Sequence, residues 1–220
     1  MTRFPLILSA ALALSGCAYG THLEGSPPPS FDTATLGVCP LLCADASMTQ
    51  ITPDIAVTAG HASLTVMAKT RRLALGDLAS FARNGVAPVI RDPVLGEHVT
   101  LYGNSTLPAP LNKRTAEGHV TVTHFAICRD RPPVGNNPLG KWCRERGMDS
   151  DYGLVTDADA GPGFSGGGIY GDDGALIGVT TDEVSGGTFG YWASDVRKEV
   201  TPVAATKTVP WWAIALLVIL

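Results

Sequence analysis

The sequence predicts an all-β protein, a sandwich or a barrel, from the spacing of its apolar runs and from its composition. Between residues 33 and 195 the apolar runs are short and are separated by glycine, proline, asparagine and aspartate. Many short runs at regular intervals are typical of such folds. The 220 residues include 25 glycines and 16 prolines, and only 16% are charged. This composition is typical of a globular, loop-rich chain and argues against a disordered chain or a long helical bundle.

Seven apolar runs have the composition and length of strands. In chain order they are residues 48–51, 55–58, 63–68, 99–102, 119–128, 168–170 and 175–181. Residues 171–174, Gly-Asp-Asp-Gly, predict a hairpin turn between the last two strands. Only residues 75–83 and 194–200 are predicted to be helical, and both segments are short.

The charge distribution argues against nucleic acid as a partner. The formal net charge is −4 at pH 7, and lysine and arginine form no stripe along the sequence. Affinity for nucleic acid depends largely on the neutralisation of phosphates by such residues. Nor does any apolar run reach the roughly 20 residues that a membrane-spanning helix needs, which excludes a polytopic membrane protein.

The first 17 residues resemble a bacterial lipoprotein signal. Arg3 is followed by an apolar stretch, residues 4–14, and by Ser-Gly-Cys. The resemblance implies that residues 1–16 are removed and that Cys17 receives a lipid, with a plain signal peptide as the alternative. Ala18 is not the aspartate that favours the inner membrane. The expected location is therefore the cell envelope, with a mild preference for the periplasmic side of the outer membrane.

The rest of the chain is predicted to contain one domain between a tether and a tail. Residues 17–32, with three consecutive prolines, are interpreted as the lipidated cysteine and a stiff tether, and residues 33–200 as the domain. Residues 201–220 are interpreted as a linker and a hydrophobic tail. Because the tail is too short to span a bilayer and begins with two tryptophans, it either lies in the membrane interface or docks on its own domain.

Four further cysteines suggest up to two disulfides in an oxidising, exported compartment. Three pairings are open, of which Cys39–Cys43 with Cys128–Cys143 closes the shortest loops. A zinc site is not predicted, because no second Cys or His pair has the spacing that zinc requires.

Two segments contain the residue types that nucleophilic catalysis requires. Residues 54–61 predict a strand that ends in small residues and His61, and residues 161–168 place Ser165 in a glycine-rich loop. A serine hydroxyl needs a neighbouring base, and a histidine base needs a carboxylate to orient it. Backbone N–H groups must also face the developing oxyanion. Because Gly163 has no side chain, the chain can curl there, so that the N–H groups of Gly163 and Ser165 face the same point.

These segments resemble motifs of trypsin-like (chymotrypsin-fold) serine peptidases. Residues 57–61, Val-Thr-Ala-Gly-His, are similar to their Thr-Ala-Ala-His, and residues 163–167, Gly-Phe-Ser-Gly-Gly, to their Gly-Asp-Ser-Gly-Gly. Residues 77–79, Asp-Leu-Ala, also match. Residues 96–104, Gly-Glu-His-Val-Thr-Leu-Tyr-Gly-Asn, resemble the corresponding strand of bacterial HtrA-type members. Together with similar segments at 156–163 and 174–179, the resemblance covers about residues 45–185 in the same order.

The resemblance implies a double antiparallel β-barrel with the active site in the cleft between the barrels. It implies His61 as general base, Asp77 as its orienting carboxylate and Ser165 as nucleophile, with the amides of Gly163 and Ser165 as the oxyanion hole. Asp77 follows His61 by only 16 residues (77 − 61), which requires a tight hairpin through residues 69–72. Asp92 and Asp151 are the alternatives for the carboxylate.

The sequence departs from the family's motifs at two positions near the nucleophile. Phe164 replaces the aspartate or asparagine that usually precedes the serine. Activation by a new N-terminus that pairs with this residue is therefore not available, and the protein is expected to need no zymogen cleavage. Gly168 replaces a proline, which loosens the following strand slightly.

Four residues are predicted to bind substrate. Asp159 lies six residues before Ser165, where digestive trypsin-like enzymes place the base of the specificity pocket. A carboxylate there would favour lysine or arginine side chains, although the HtrA-like pattern of the segment leaves this counting open. Val179, Thr180 and Thr181 are predicted to pair with the substrate backbone as an added strand.

The predicted function is that of an exported serine endopeptidase that acts on proteins or peptides, with no cofactor and no metal. His98, His119 and His124 are interpreted as surface or hydrogen-bonded histidines, because each lies in the alternation of a strand. Two alternatives remain. One is an inactive member of the same fold that binds partner proteins at the envelope, and the other is an esterase, since acyl transfer to serine does not itself select amides over esters.

Overall fold

The computed structural model describes residues 21–23, 26–38, 42–66, 68–105, 112–126, 152–184 and 187–201. These residues form twelve strands, one 3-10 helix at Gly60–Val66 and one α-helix, α1 (Ala193–Val200). The strands are β1 (Thr21–His22), β2 (Phe31–Val38), β3 (Leu42–Thr52), β4 (Ile55–Ala59), β5 (Thr70–Arg72), β6 (Leu78–Ala82), β7 (His98–Ser105), β8 (Asn112–Ala126), β9 (Tyr152–Thr156), β10 (Gly168–Gly171), β11 (Leu176–Val184) and β12 (Gly187–Trp192).

The second half of the chain closes into a six-stranded antiparallel barrel. The strand order is β8-β7-β10-β11-β12-β9, and β8 also pairs with β9, which closes the ring; β1 is added beside β8. The first half forms a five-stranded antiparallel sheet in the order β2-β3-β4-β6-β5. Together they form an all-β, trypsin-like double-barrel fold, as the sequence predicted.

The two halves share one hydrophobic core, and this core fixes the cleft between them. Ile51, Val57 and Leu78 from the first sheet belong to the same buried cluster as Leu176 and Phe189 from the barrel. Burial of large apolar side chains on both sides stabilises this contact by about 1.5–3 kcal/mol for each fully buried side chain. The strand ends that reach the cleft are therefore held by packing rather than by loops.

Most of the predicted strands are confirmed, and two predicted segments are wrong. Residues 63–68 were expected to form a strand, but the chain forms the 3-10 helix up to Val66. Residues 75–83 were expected to form a helix, but residues 78–82 form β6, of which four residues are buried. A short apolar run that is buried on both faces has no period that separates helix from strand, so the error lies in the local pattern. The predicted helix 194–200 and the hairpin turn 171–174 are confirmed.

The segment interpreted as a tether begins to fold before residue 33. Thr21–His22 pairs with β8. Ser30 and Phe31 are buried, and Phe31 is the first residue of β2. Cys17, the tail beyond residue 201, Asp151 and three of the four paired-cysteine candidates (Cys39, Cys128 and Cys143) lie outside the described residues. Within the described ranges, no helix is both long and apolar enough to cross a membrane.

Candidate active site

His61 reaches the cleft because a buried strand ends immediately before it. The last four residues of β4, from Ala56 to Ala59, are fully buried, and the chain then turns into the 3-10 helix that begins at Gly60. His61 is the second residue of this turn, and about half of its side chain is exposed. The imidazole therefore stands at the edge of the cleft on a rigid support.

Asp77 lies beside His61 because β4 and β6 are neighbours in the sheet. Ala59 at the end of β4 pairs with Leu78 at the start of β6, and Gly60 N donates to Asp77 O at 2.8 Å. Asp77 Oδ2 is in hydrogen-bond contact with His61 Nδ1. The separation of 16 residues between His61 and Asp77 is therefore enough for the two side chains to meet. The turn that shortens it falls at residues 73–77, after β5, rather than at the predicted residues 69–72.

The surroundings of His61 favour its charged form. The hydrogen bond to the carboxylate of Asp77 has the largest effect and raises the pKa of His61, whereas burial lowers it. The negative charges of Asp77 and Asp182 raise this pKa further, and the positive charge of Arg72 lowers it. The net result is a pKa above the ordinary histidine value of 6.5.

The loop that carries Ser165 is held by hydrogen bonds to three strands. Gly163 O accepts from Ser47 Oγ of β3 at 2.6 Å and from Asn104 N of β7 at 3.0 Å. Gly166 N donates to Thr180 O of β11 at 2.7 Å. Gly163 and Gly166 have φ values of 100° and 91°, which residues other than glycine rarely adopt. Their replacement would therefore disturb the loop on either side of the serine.

Phe164 anchors this loop in the barrel core. Its side chain is 1% exposed and belongs to the cluster that includes Leu101 and Ile169. A Cβ atom on Gly103 of β7 would lie 2.4 Å from the Phe164 ring, so the ring needs a glycine opposite it. An apolar contact thus occupies the position where the resembled family has an acidic or amide residue.

The amide groups predicted to form the oxyanion hole are available. Gly163 N and Ser165 N donate to no acceptor within the described residues. Unsatisfied N–H groups at a cleft are the donors that an oxyanion requires. Ser165 Oγ lies 3.5 Å from Thr181 O, and no hydrogen bond joins it to His61 among the described side chains.

His61 and Ser165 line one cleft of about 430 Å³. Its other lining residues are Ala62, Ala160, Gly161, Pro162, Gly163, Thr180, Thr181, Asp182 and Glu183. The cleft therefore brings together the predicted base, the predicted nucleophile and the predicted oxyanion loop.

Of the residues predicted to pair with substrate, only those at the end of the segment face the cleft. Val179 is fully buried, and its backbone lies between Gly168 of β10 and Tyr191 of β12. Thr180 also bonds to the serine loop through Gly167 O and Gly166 N. The pairing of β10 with β11 begins at Gly168 and Val179, and the next residues of β11, Thr180 and Thr181, line the cleft. Val179 is therefore an unsuitable position for pairing with a substrate strand.

Asp159 lies outside this cleft. It lines a neighbouring recess of about 200 Å³ together with Asp157 and Glu183. The recess and the cleft share Ala160 and Glu183, so the two spaces adjoin. If Asp159 binds a lysine or arginine side chain of the substrate, as predicted, that side chain must extend beyond the cleft into the recess.

The alternative candidates lie elsewhere or are engaged in other contacts. Asp92 accepts a hydrogen bond from Ser194 of α1 at 2.6 Å. His98 Nδ1 lies 2.7 Å from Asp172, whose hydrogen bond is the main cause of the raised pKa of His98. Among the described residues, no group of three or more His, Cys, Asp or Glu side chains is placed to hold a metal ion.

Two residues near Asp77 were missed by the sequence analysis. Arg72 Nη1 lies 3.5 Å from Asp77 Oδ1. The carboxylate of Glu199 in α1 accepts from Ala74 N and from Leu75 N, the latter at 3.0 Å, and so holds the turn before Asp77. Neither residue belongs to a motif. The only signal was Gly60, whose departure from the family's alanine leaves room for the Arg72–Asp77 pair.

Two solved structures with a similar fold are described as a protease and a protease domain. The HtrA-type protease AlgW, solved with a tripeptide, matches with a TM-score of 0.52 and 18% identity over 78% of this chain and 58% of that chain. The apo protease domain of MamO from Magnetospirillum magneticum matches with a TM-score of 0.53 and 16% identity, over 78% and 95% of the two chains. These identities show the shared fold alone. No protein-family model and no curated protein sequence matches this chain.

Proposed function

We propose that the protein is a serine endopeptidase with His61, Asp77 and Ser165 as its catalytic triad. The observation that carries the proposal is the Asp77–His61 hydrogen bond at the edge of the cleft that Ser165 also lines. The available amides of Gly163 and Ser165 support it, because acyl transfer needs donors that face the oxyanion.

In the proposed reaction, Ser165 Oγ forms a bond to the carbonyl carbon and its proton passes to His61 Nε2. The carbonyl oxygen becomes an oxyanion that accepts from Gly163 N and Ser165 N. Asp77 holds His61 in the required tautomer and stabilises its charged form. The carbon–nitrogen bond then breaks and His61 returns the proton to the leaving amine. Water releases the acyl group by the same steps, again with His61 as base.

The proposed substrates are extended segments of exported proteins. The part of β11 that follows Val179 lines the cleft, and an extended peptide can lie along it there. The carboxylates of Asp159 and Glu183 in the adjoining recess favour a lysine or arginine side chain there. The proposed location is the cell envelope, with the chain anchored by a lipid on Cys17.

A second candidate function is that of an inactive, partner-binding member of the fold. The observation that favours it is the contact of Ser165 Oγ with Thr181 O rather than with His61. At 3.5 Å this contact is at the outer limit of a hydrogen bond, so it holds the hydroxyl only weakly. Apo sites also often tighten only when substrate binds, which favours the first candidate.

The test compares hydrolysis of an amide and an ester that have the same acyl group, by the full chain and by S165A. We expect the chain to cleave both substrates and S165A to cleave neither. S194A is the matched control, because Ser194 lies on α1 and bonds Asp92. Cleavage of the ester alone would indicate an esterase. The absence of turnover in a folded wild-type chain would contradict the proposal and support the binding function.

A further inference from the structure

We infer that Arg72 is a positioning residue, whose guanidinium group holds Oδ1 of Asp77 so that Oδ2 faces His61. This inference rests on the proposed function for its effect on catalysis, but its effect on His61 does not depend on activity. Arg72 is the last residue of β5, next to β6 in the sheet, and it belongs to none of the motifs that define the proposed triad.

The first observation is the state of Asp77 Oδ1. This oxygen is buried and accepts no hydrogen bond within the described residues. A carboxylate oxygen without water or a donor is costly unless a positive charge lies close by. Arg72 Nη1 is at 3.5 Å, an ion-pair distance, and Arg72 Nη2 lies 3.5 Å from Gly60 O, at the outer limit of a hydrogen bond, so the ion pair is the main contact of this largely exposed side chain.

The second observation is the space that Gly60 leaves. A Cβ atom at this position would lie 2.5 Å from Asp77 Oδ1 and 3.1 Å from Arg72 Nη1. The alanine of the resembled family would therefore require the Asp77 carboxylate to shift from the position in which it contacts His61. Gly60 and Arg72 form one arrangement, in which the glycine leaves the space that the Arg72–Asp77 pair occupies.

The charges around His61 determine what the loss of Arg72 would do. Asp77 contacts the imidazole from the turn before β6, and Arg72 of β5 pairs with the carboxylate of Asp77. Asp182 and Glu183 of β11 line the same cleft as His61. Arg72 is the one whose charge lowers the pKa of His61. Its removal leaves the carboxylates unopposed and is expected to raise that pKa.

The test measures the pKa of His61 by NMR titration of its ring protons in the full chain, with the signal assigned through H61Q. We expect R72Q to raise the midpoint by about 0.3–0.5 pH relative to wild type, because the charge acts through a partly solvated site. R72K retains the charge and should restore the wild-type midpoint. R71Q removes the neighbouring charge, which contacts Glu199 O of α1, and should leave the midpoint unchanged.

A second measurement tests positioning through Asp77. At a pH well above the midpoint, R72Q should react with a serine-directed fluorophosphonate about two- to fivefold more slowly than wild type. In the D77N background, adding R72Q should leave the rate unchanged, because Arg72 then has no carboxylate to hold.

The outcomes separate the two proposals. If R72Q and R71Q give the same midpoint as wild type, or if the rate ratio persists in D77N, the role of Arg72 is wrong. If wild type does not react with the fluorophosphonate but R72Q still raises the midpoint, the arrangement at Asp77 stands and the catalytic function fails.

Discussion

The hydrogen bond to Asp77 has the largest effect on the pKa of His61. Because Asp77 raises the pKa of His61 above 6.5, the imidazole is charged at mildly acidic pH and cannot accept the proton of Ser165. The rate of acylation should therefore rise with pH, with a midpoint above 6.5. A pH profile of fluorophosphonate reaction measures this midpoint, and a midpoint below 6 would contradict the hydrogen bond.

Removal of the carboxylate should change both the rate and the midpoint. D77N cannot fix the tautomer of His61, and loss of this function lowers kcat by about 10⁴ in the best-studied triad. With the largest raising effect gone and burial still acting, the pKa of His61 should fall in D77N. The same profile provides the measurement. D92N is the control, and a wild-type rate in D77N together with a slow D92N would assign the carboxylate to Asp92.

The substitution G60A tests whether the carboxylate has space to move. The added methyl group would displace Asp77 Oδ1 and Arg72, and a displacement of about 1 Å can cost up to 100-fold in rate. G60A should therefore react about 10- to 100-fold more slowly than wild type, although it restores the residue that the resembled family has. A62G, in the same turn, is the control. An unchanged rate in G60A would show that the pair does not need this space.

The loop that carries Ser165 should depend on the ring of Phe164 for stability. F164L keeps most of the apolar volume and should cost under about 1.5 kcal/mol, whereas F164A should cost about 3–5 kcal/mol. F164D restores the acidic residue of the family but buries a charge among apolar side chains, so it should be at least as destabilising as F164A. Urea unfolding measures these differences. Equal stability of F164D and F164L would contradict the contact.

The helix α1 supports the turn before Asp77, although it lies far from that turn in the sequence. Its buried residues, Ala193, Val196 and Val200, have helical spacing and pack on the core. This packing brings Glu199 to the turn before Asp77, where its carboxylate accepts from Ala74 N and Leu75 N. The last helix of the chain thus supports a turn in the first sheet.

The substitution E199A should loosen this turn. Loss of charge-assisted hydrogen bonds should lower the free energy of unfolding by about 1–2 kcal/mol and slow the reaction of Ser165, since Asp77 is then less well placed. K198Q is the matched control, because Lys198 pairs with Asp195 on the exposed side of the same helix. The measurement is urea unfolding beside fluorophosphonate reaction. Equal effects of E199A and K198Q would contradict the supporting role.

At this scale the sequence predicted most strands but not their neighbours. The runs that became β4, β7, β10 and β11 have strand composition and clear turn signals, and they were predicted correctly. The error at β6 arose because four of its five residues are buried, which removes the alternation. The contacts of Arg72 and Glu199 could not be predicted, because both depend on which elements become adjacent in space.

For the whole molecule, the fold follows from the order of the motifs along the chain. The segments around His61, Asp77 and Ser165 lie at strand ends of two sheets, and a shared core brings those ends to one cleft. The sequence could not predict that Val179 is paired with both β10 and β12, because it does not show at which residue each neighbouring strand ends. Motif order thus predicts the cleft, whereas its fine geometry depends on tertiary packing.

The proposed anchor is tested at the same scale. In cells that export the full chain, wild type should be found with membranes and C17S should be largely soluble, because the lipid supplies most of the affinity. Fractionation measures this distribution, with C17S lacking residues 209–220 as the comparison. Membrane association of C17S that is lost only on removal of the tail would assign the anchor to the tail instead.

The central claim is that Ser165 is activated by His61 and Asp77 in the folded chain. The most direct measurement is intact-mass analysis and peptide mapping of the full chain after reaction with a fluorophosphonate across a pH series. The account predicts one adduct per chain, on Ser165, with a midpoint above 6.5, none in S165A, and a greatly slowed reaction in D77N. A folded wild-type chain that forms no adduct at any pH, or an adduct that persists in S165A, would contradict it.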